Sequence, residues 1–327
     1  MSNKLLFVSG SPHVHHHDSV KKIMWSVVIA LLPAFLVAVY FFGVPVILIT
    51  AVSIASCLLF EYLIQRFLLK GKPTMSDGSA VITGLLLAFN LPPNLPLWMV
   101  AVGALMAIGV GKMAFGGLGR NPFNPALVGR VFLLISFPVD MTSWPKPSPI
   151  WNFAADAITG PTPLGILKEG VKNGVSIEQL NLPSHIDMLI GQMGGSFGEI
   201  SAIALILGAI FLLIRKVITW HIPVAFIGSA FLFAAVFHQI DPTMYANPFF
   251  HLITGGLMLG ALYMATDMVT SPTSPSGMIV FGVGCGVITM LIRMFGAYPE
   301  GVSFAILLMN AVVPLINKGF KPKVFAK

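Results

Sequence analysis

Charged side chains are scarce in this chain: Asp, Glu, Lys and Arg make up only 9% of its 327 residues. Soluble domains carry about 25% charged residues, whereas this chain is 56% hydrophobic and has a mean hydropathy of +0.88. A water-soluble fold could not hide that much apolar surface, so the composition excludes a soluble globular protein. It predicts an all-α polytopic membrane protein.

Cysteine is nearly absent, since only Cys57 and Cys285 occur and both lie inside apolar runs. No CxxC or other metal-ligand spacing exists, so we expect no Cys-ligated iron–sulfur or zinc site, and packing roles are favoured. GxGxxG and P-loop patterns are also missing, which argues against a Rossmann domain and nucleotide hydrolysis. The tail histidines, His13 and 15–17, share no face of a regular element, so a solvated tail is favoured over adventitious metal binding.

Ten apolar segments predict helices in the membrane, because a spanning helix needs roughly 20 apolar residues. Their approximate bounds are 23–42, 45–69, 78–91, 96–114, 124–138, 198–216, 221–238, 249–266, 277–294 and 302–317. The segments starting near 78 and 124 are short and bounded by Pro or Gly, which favours half-helices or tilted helices lining a site. Ordinary spans with hidden ends are the alternative. The first run continues like a full span, so we expect no cleaved signal peptide.

The basic residues predict the orientation of the chain. If every segment crosses once, nearly all basic segment ends fall on one side, which is therefore cytoplasmic. These bases are Lys21, Lys22, Arg66, Lys70, Lys72, Lys112, Arg120, Arg215, Lys216, Lys318, Lys321, Lys323 and Lys327. Because the bases cluster in this way, the net charge of +7 does not indicate nucleic-acid binding. Arg293, near the outer end of the ninth segment, is the exception.

The same reasoning divides the chain into five regions. They are a cytoplasmic tail (1–22), a first transmembrane half (23–138), an extracytoplasmic loop (139–197), a second transmembrane half (198–317) and a cytoplasmic tail (318–327). The central loop carries more acids than lysines, as an external loop should.

Two short matches indicate an internal repeat. Ile-Thr-Gly at 82–84 recurs at 253–255, and Lys-Met-Ala-Phe-Gly at 112–116 resembles Arg-Met-Phe-Gly at 293–296. On the predicted topology the third and eighth segments run in opposite directions. This is the pattern of an inverted repeat, in which two five-helix halves enclose a site.

The longest polar interruption contains Asp156-Ala157-Ile158-Thr159-Gly160-Pro161-Thr162-Pro163-Leu164. A threonine hydroxyl can be esterified to the phosphate of FMN, which needs an exposed hydroxyl, a nearby Gly and room for a bulky group. The stretch supplies each of these, with hydroxyls at Thr159 and Thr162. By pattern alone, an ordinary turn is the commoner meaning of Thr-Gly-Pro-Thr.

A Gly-rich loop at 116–119 leads through Asn121 and Asn124, each followed by Pro, into a predicted helix. Asn side chains there can bond ring carbonyls or cap the helix, and the helix N-terminus favours anions or electron-rich groups. A tight re-entrant turn with a capping Asn is an equally good interpretation.

Three acids lie in or next to apolar segments, where acids are costly and often functional. Asp77 opens the third segment and Asp267 closes the eighth, so each is a functional candidate or an interfacial helix cap. Glu61 lies within the second segment and is a candidate or, with Arg66, an end-of-helix pair.

Three stretches together resemble the D subunits of the Rnf electron-transport complexes. They are 156–164, Gly119-Arg120-Asn121-Pro122-Phe123-Asn124-Pro125-Ala126-Leu127, and the early Ser11-Pro12-His13 with Asp18-Ser19. The resemblance runs essentially end to end. The family is related to the B subunit of the sodium-pumping NADH:quinone reductase, and the lack of a long N-terminal extension favours the Rnf member.

The resemblance implies FMN joined by a phosphoester to Thr162, the last residue of the family's Ser/Thr-Gly-Ala-Thr motif. A flavin transferase would attach it. Pro161 stands where the family usually has Ala, and we expect it to stiffen the loop. The resemblance also implies a second, non-covalent flavin, riboflavin, in the helix bundle; Asn121, Asn124 and Asp267 are our candidate contacts.

The resemblance further implies one component of a redox-driven Na⁺ or H⁺ pump in the bacterial cytoplasmic (inner) membrane. Electrons would pass between ferredoxin and NAD through the A, B, C, E and G subunits of an Rnf-type complex. This chain has no visible nicotinamide or iron–sulfur motif, so we expect an electron relay surrounded by lipid, not a self-sufficient enzyme. Electrons would arrive at Thr162 on the outer side. The alternatives are the B subunit of a quinone reductase and a non-redox inverted-repeat transporter or channel.

Overall fold

The computed structural model describes residues 19–71, 74–145, 147, 159–191 and 193–321. The tail histidines and Asp156 lie outside the described residues. Helices make up most of the rest, and two short strands, β1 (Trp144–Pro145) and β2 (Thr159–Gly160), pair antiparallel. The architecture confirms the all-α polytopic membrane class.

The helices follow one another along the chain with short connections outside the central loop. In order they are α1 (Val20–Phe42), α2 (Val44–Leu63), α3 (Ser79–Phe89), α4 (Leu97–Leu105), α5 (Pro125–Ser136), α6 (Pro138–Thr142), α7 (Pro163–Lys172), α8 (His185–Ile190), α9 (Ala202–Ile214), α10 (His221–Ile240), α11 (Pro248–Ile253), α12 (Leu257–Leu259), α13 (Pro275–Phe295) and α14 (Val302–Gly319). π-Helical turns continue α2 over Ile64–Leu68, α4 over Met106–Val110 and α12 over Gly260–Met264.

Every predicted segment contains at least one of these helices, but within the described part of the chain only six helices are long and apolar enough to cross a membrane. The six are α1, α2, α4 with its continuation, α10, α13 and α14. Helices α3 and α5 have 11 and 12 residues, so the prediction of short helices at these two places is confirmed. A helix of that length cannot cross a bilayer alone.

Two further segments are shorter or less continuous than predicted. The sixth predicted segment contains α9, which has only 13 residues. Ser201 caps α9 by accepting a hydrogen bond from the Ala204 N–H, so the helix begins at Ala202. The eighth is broken between α11 and α12, where Gly255 has φ +66°, a conformation that glycine adopts readily. Broken helices at membrane depth are tolerated where they line protein cavities.

The two halves of the chain pack in the same order. Helix α2 contacts α3 and α4, and correspondingly α10 contacts α11 and α13. Helix α5 lies on α4 as α14 lies on α13, and the halves meet where α1 packs on α9 and α5 on α14. This order agrees with the predicted repeat of two five-helix halves.

Small residues bring the two halves into close contact. Gly208 of α9 faces the α1 backbone at Ala30, and Tyr263 Oη lies 2.9 Å from the carbonyl O of Leu205 and 3.2 Å from that of Ala30. Glycine at a helix crossing lets backbones approach, and a buried hydroxyl without a partner would be costly in lipid.

The segment between α5 and α9 builds a small core of its own over one end of the bundle. Leu164, Leu167 and Met188 of this segment pack with Phe250 of α11. This packing holds the start of α7, and with it Thr162, over the broken eighth segment.

Candidate functional site

Thr162 is the N-cap residue of α7. Its backbone is extended, and its Oγ1 accepts a hydrogen bond of 3.1 Å from the Gly165 N–H. Pro163 occupies the first helical position, where its missing N–H has no consequence. Thr159 instead lies in β2 opposite Pro145 and is exposed. The two hydroxyls of this stretch therefore differ in position: Thr162 caps a helix, whereas Thr159 lies on a strand.

A cavity of about 240 Å³ adjoins Thr162, and we call it the Thr162 cavity. Its wall is part apolar and part charged, and includes Arg130, Leu134, Met141, Trp144, Thr162, Met193, Glu199, Glu300 and Phe304. The central loop supplies one side, while α5 and the turn before α14 supply the other.

The charged part of this wall centres on Arg130, a buried residue of α5. Its guanidinium donates to Glu300 Oε2 at 2.5 Å, to Ser303 Oγ at 2.6 Å and to Asn90 Oδ1 at 3.0 Å. Glu199 Oε1 lies 3.8 Å from Arg130 Nη2 and has no hydrogen-bond partner within the described residues, and neither has Arg130 Nε. Arg130 therefore hydrogen-bonds the Glu300 carboxylate and contacts the Glu199 carboxylate only at longer range.

A second buried guanidinium lies behind the first. Arg293 of α13 donates to the carbonyl O atoms of His251 at 2.6 Å and Thr254 at 3.0 Å, which satisfies the broken end of α11. Arg293 departs from the charge pattern of the other basic residues because it binds backbone carbonyls of the eighth segment.

Burial raises the pKa of Glu300, but the guanidiniums of Arg130 and Arg293 outweigh it and hold that pKa below its ordinary value.

A second cavity, of about 100 Å³, contains all three residues that we selected for a second flavin. Asn121, Asn124 and Asp267 line it together, and none of them lines the Thr162 cavity. We call it the Asn121 cavity. It lies where α3 and α5 begin, and its other walls come from α1, α9 and the end of the eighth segment.

The polar side chains of the Asn121 cavity differ in how many of their hydrogen-bonding atoms already have a partner in the protein. Asn124 caps α5 by accepting from the Ala126 N–H at 3.1 Å, so the capping interpretation is correct for this residue. Asp267 accepts from the Thr270 hydroxyl at 3.0 Å. Asn121 donates to the Phe123 carbonyl, but its Oδ1 is buried with no partner among the described residues. A free acceptor remains for a ligand.

The interpretation of Glu61 as an end-of-helix pair with Arg66 is wrong. Glu61 Oε2 lies 2.7 Å from Lys112 Nζ, which also donates to Ser79 Oγ at 2.7 Å. The pairing needs the fold, because the two charges are 51 residues apart. Asp77 accepts from the Ser79 N–H at 2.8 Å, so it stabilises the start of α3 as an interfacial cap would.

The two short helices connect the two cavities. On α5, Asn124 lines the Asn121 cavity and Arg130 lines the Thr162 cavity, six residues or about 9 Å further along the axis. On α3, Ser79 lines the Asn121 cavity, while Asn90 at its other end accepts from Arg130. Helices α3 and α5 thus each contribute to the walls of both cavities or to the residues that hold those walls.

Comparison with known proteins gives the family. Residues 7–326 match the model described as the NQR2, RnfD, RnfE family. The D subunit of the proton-translocating ferredoxin:NAD(+) oxidoreductase complex of Clostridium ljungdahlii is 43% identical over 327 residues, covering 99% of this chain and 97% of the relative. The D subunit of the Na(+)-translocating complex of Acetobacterium woodii is 43% identical, with 99% and 96% covered. The D subunit of an ion-translocating oxidoreductase complex of Stutzerimonas stutzeri is 41% identical, with 95% and 93% covered.

Proposed function

The chain belongs to the NQR2, RnfD, RnfE family, and on that premise we propose that it is the D subunit of a redox-driven ion pump of the Rnf type. The relatives at 41–43% identity are named as subunits of ion-translocating oxidoreductase complexes, two of them acting on ferredoxin and NAD⁺. These names favour an electron relay over a non-redox channel and over a quinone-reductase component. The coupled ion is Na⁺ or H⁺, since the two relatives at 43% identity carry one name each.

The observation that carries a flavin role is the position of Thr162 at both a helix N-terminus and a cavity. A phosphate esterified to Oγ1 would lie at the start of α7, where the positive end of the helix dipole favours an anion. The esterified oxygen would keep a lone pair for the Gly165 N–H.

The Thr162 cavity offers groups that fit the ring of FMN. Arg130 Nε and Glu199 Oε1 are buried polar atoms without hydrogen-bond partners in the described residues, so a polar ligand edge can satisfy them. Trp144 and Phe304 provide apolar walls. Bound FMN would supply a carrier that accepts and passes electrons singly, while the chain holds it, orients it and limits its contact with water.

The Asn121 cavity is the proposed place for the second, non-covalent flavin, riboflavin. Asn121, Asn124 and Asp267 would contact it, with the free Oδ1 of Asn121 as an acceptor. We place this cavity on the cytoplasmic side with both termini, and Thr162 on the extracytoplasmic side, from the distribution of bases. Partners would be the A, B, C, E and G subunits in the bacterial inner membrane, and a flavin transferase would load Thr162.

The test is covalent flavin fluorescence on a denaturing gel under ultraviolet light. The natural chain, Thr159→Ala and Thr162→Ser should give a fluorescent band, and Thr162→Ala should not. Thr159 is a matched control because it is a hydroxyl of the same segment that faces solvent. A fluorescent Thr162→Ala band would show that the flavin is attached elsewhere.

A further inference from the structure

Glu199 is the least satisfied charge in the Thr162 cavity. Glu300 receives Arg130 Nη2 at 2.5 Å and the Gly256 N–H, whereas Glu199 Oε1 lies 3.8 Å from Arg130 Nη2 and the neutral Ser196 hydroxyl lies beside the same carboxylate. Yet Glu199 is the more buried of the two carboxylates. Such a carboxylate loses less than Glu300 when it is neutralised, because no hydrogen bond from a guanidinium is given up.

The charges that face Glu199 come from every element around it. Arg130 approaches from α5, Arg293 from α13 and Glu300 from the turn before α14, while Ser196 of its own segment places its buried hydroxyl beside the carboxylate. Burial and the neighbouring Glu300 raise the pKa of Glu199 to about 8, so all four charged groups are ionised above that pH, where two guanidiniums balance two carboxylates. One added electron would leave a net negative charge in a low-dielectric site, where charge is costly.

We propose that Glu199 binds one proton when a flavin at Thr162 takes up its first electron. The inference rests on the proposed function. The electron comes from a reduced one-electron carrier elsewhere in the complex, and the proton comes from bulk water. An O–H bond forms on the carboxylate, which becomes a neutral acid and compensates the added charge. Reoxidation returns the electron to an acceptor and the proton to water.

The experiment measures the midpoint potential of the covalent flavin against pH in the full flavin-loaded chain, with dithionite as reductant. In the natural chain the potential of the first one-electron step should fall as pH rises above the pKa of Glu199, with about one proton taken up in that step. Glu199→Gln, which is already neutral, should remove most of this dependence and give a higher potential at alkaline pH. Glu169→Gln is the matched control and should behave like the natural chain, since that carboxylate lines the same cavity but is solvated.

An infrared difference spectrum gives a readout that a purely structural role would not move. Reduction should produce a protonated-carboxyl band that shifts in D₂O, disappears in Glu199→Gln and persists in Glu169→Gln. A loaded chain whose potential ignores pH, or responds to Na⁺ instead, would overturn this inference and leave the proposed function standing. So would a Glu199→Gln variant with the natural pH dependence. A chain without covalent flavin would overturn the proposed function itself.

Discussion

Lys112 Nζ lies 2.7 Å from Glu61 Oε2, and both side chains are 1% exposed. Removing one partner of a buried pair leaves an uncompensated charge, which typically costs about 3–5 kcal/mol. We expect Glu61→Gln or Lys112→Met alone to lower the free energy of unfolding by about this amount, and the double variant Glu61→Gln/Lys112→Met to recover much of it.

Unfolding of the detergent-solubilised variants by heat or denaturant measures these differences. Glu178→Gln is the control, because Glu178 is exposed and its removal should change stability by less than about 0.5 kcal/mol. Additive losses in the double variant would contradict the energetic coupling of Glu61 and Lys112.

Gly208 sets the distance between the two halves of the bundle. A Cβ at this position would overlap the Ala30 carbonyl O and Tyr263 Oη, so Gly208→Ala should push α1 and α9 apart and destabilise the protein by several degrees in Tm. Gly228→Ala in α10 is the matched control, since a Cβ there meets nothing within 4 Å. It should stabilise α10 slightly, because Ala is the better helix former. Equal Tm values for the two variants would disprove the tight α1–α9 contact.

Asn121 should govern the second flavin without affecting the first. Asn121→Leu removes the free acceptor in the Asn121 cavity, so it should lower the amount of flavin released by acid precipitation severalfold while the fluorescent covalent band persists. Asn173→Leu, at the exposed end of α7, should release as much flavin as the natural chain. Loss of the covalent band together with the released flavin would indicate a folding defect rather than a separate site.

The ion pair of Glu300 with Arg130 should give a pH-dependent share of stability. Because the pKa of Glu300 is lowered in the folded protein, the pair stabilises the protein above the ordinary carboxyl pKa, and this stability is lost as pH falls through the folded-state value. Glu300→Gln should therefore lower Tm at neutral pH, and the difference from the natural chain should shrink in acid. A Tm difference that stays constant down to strongly acidic pH would contradict this role.

The membrane class and the helix positions could be predicted because long apolar runs carry that information locally. The short α3 and α5 were also predictable from their Pro and Gly boundaries. The break between α11 and α12 was not, because it depends on Arg293 and Glu300, which bind the freed backbone groups from distant parts of the chain.

The candidate sites divide in the same way. Thr162, Asn121, Asn124 and Asp267 were found from local motifs and the resemblance they carry, and the structure places the last three on one cavity. No local motif identifies the charged residues of the Thr162 cavity, which are Arg130, Glu199 and Glu300. Arg130 and Glu300 are 170 residues apart in sequence and meet only in the fold. The sequence did contain a signal for Arg130. It lies within a predicted membrane segment, and a charged residue there is a functional candidate.

The most direct test of the flavin-bearing role is the intact mass of the purified chain, followed by peptide mapping. We predict an added mass equal to FMN less water, located on the peptide that contains Thr162 and absent from Thr162→Ala. An unmodified mass from cells that contain the flavin transferase, or the same addition on another residue, would contradict the account.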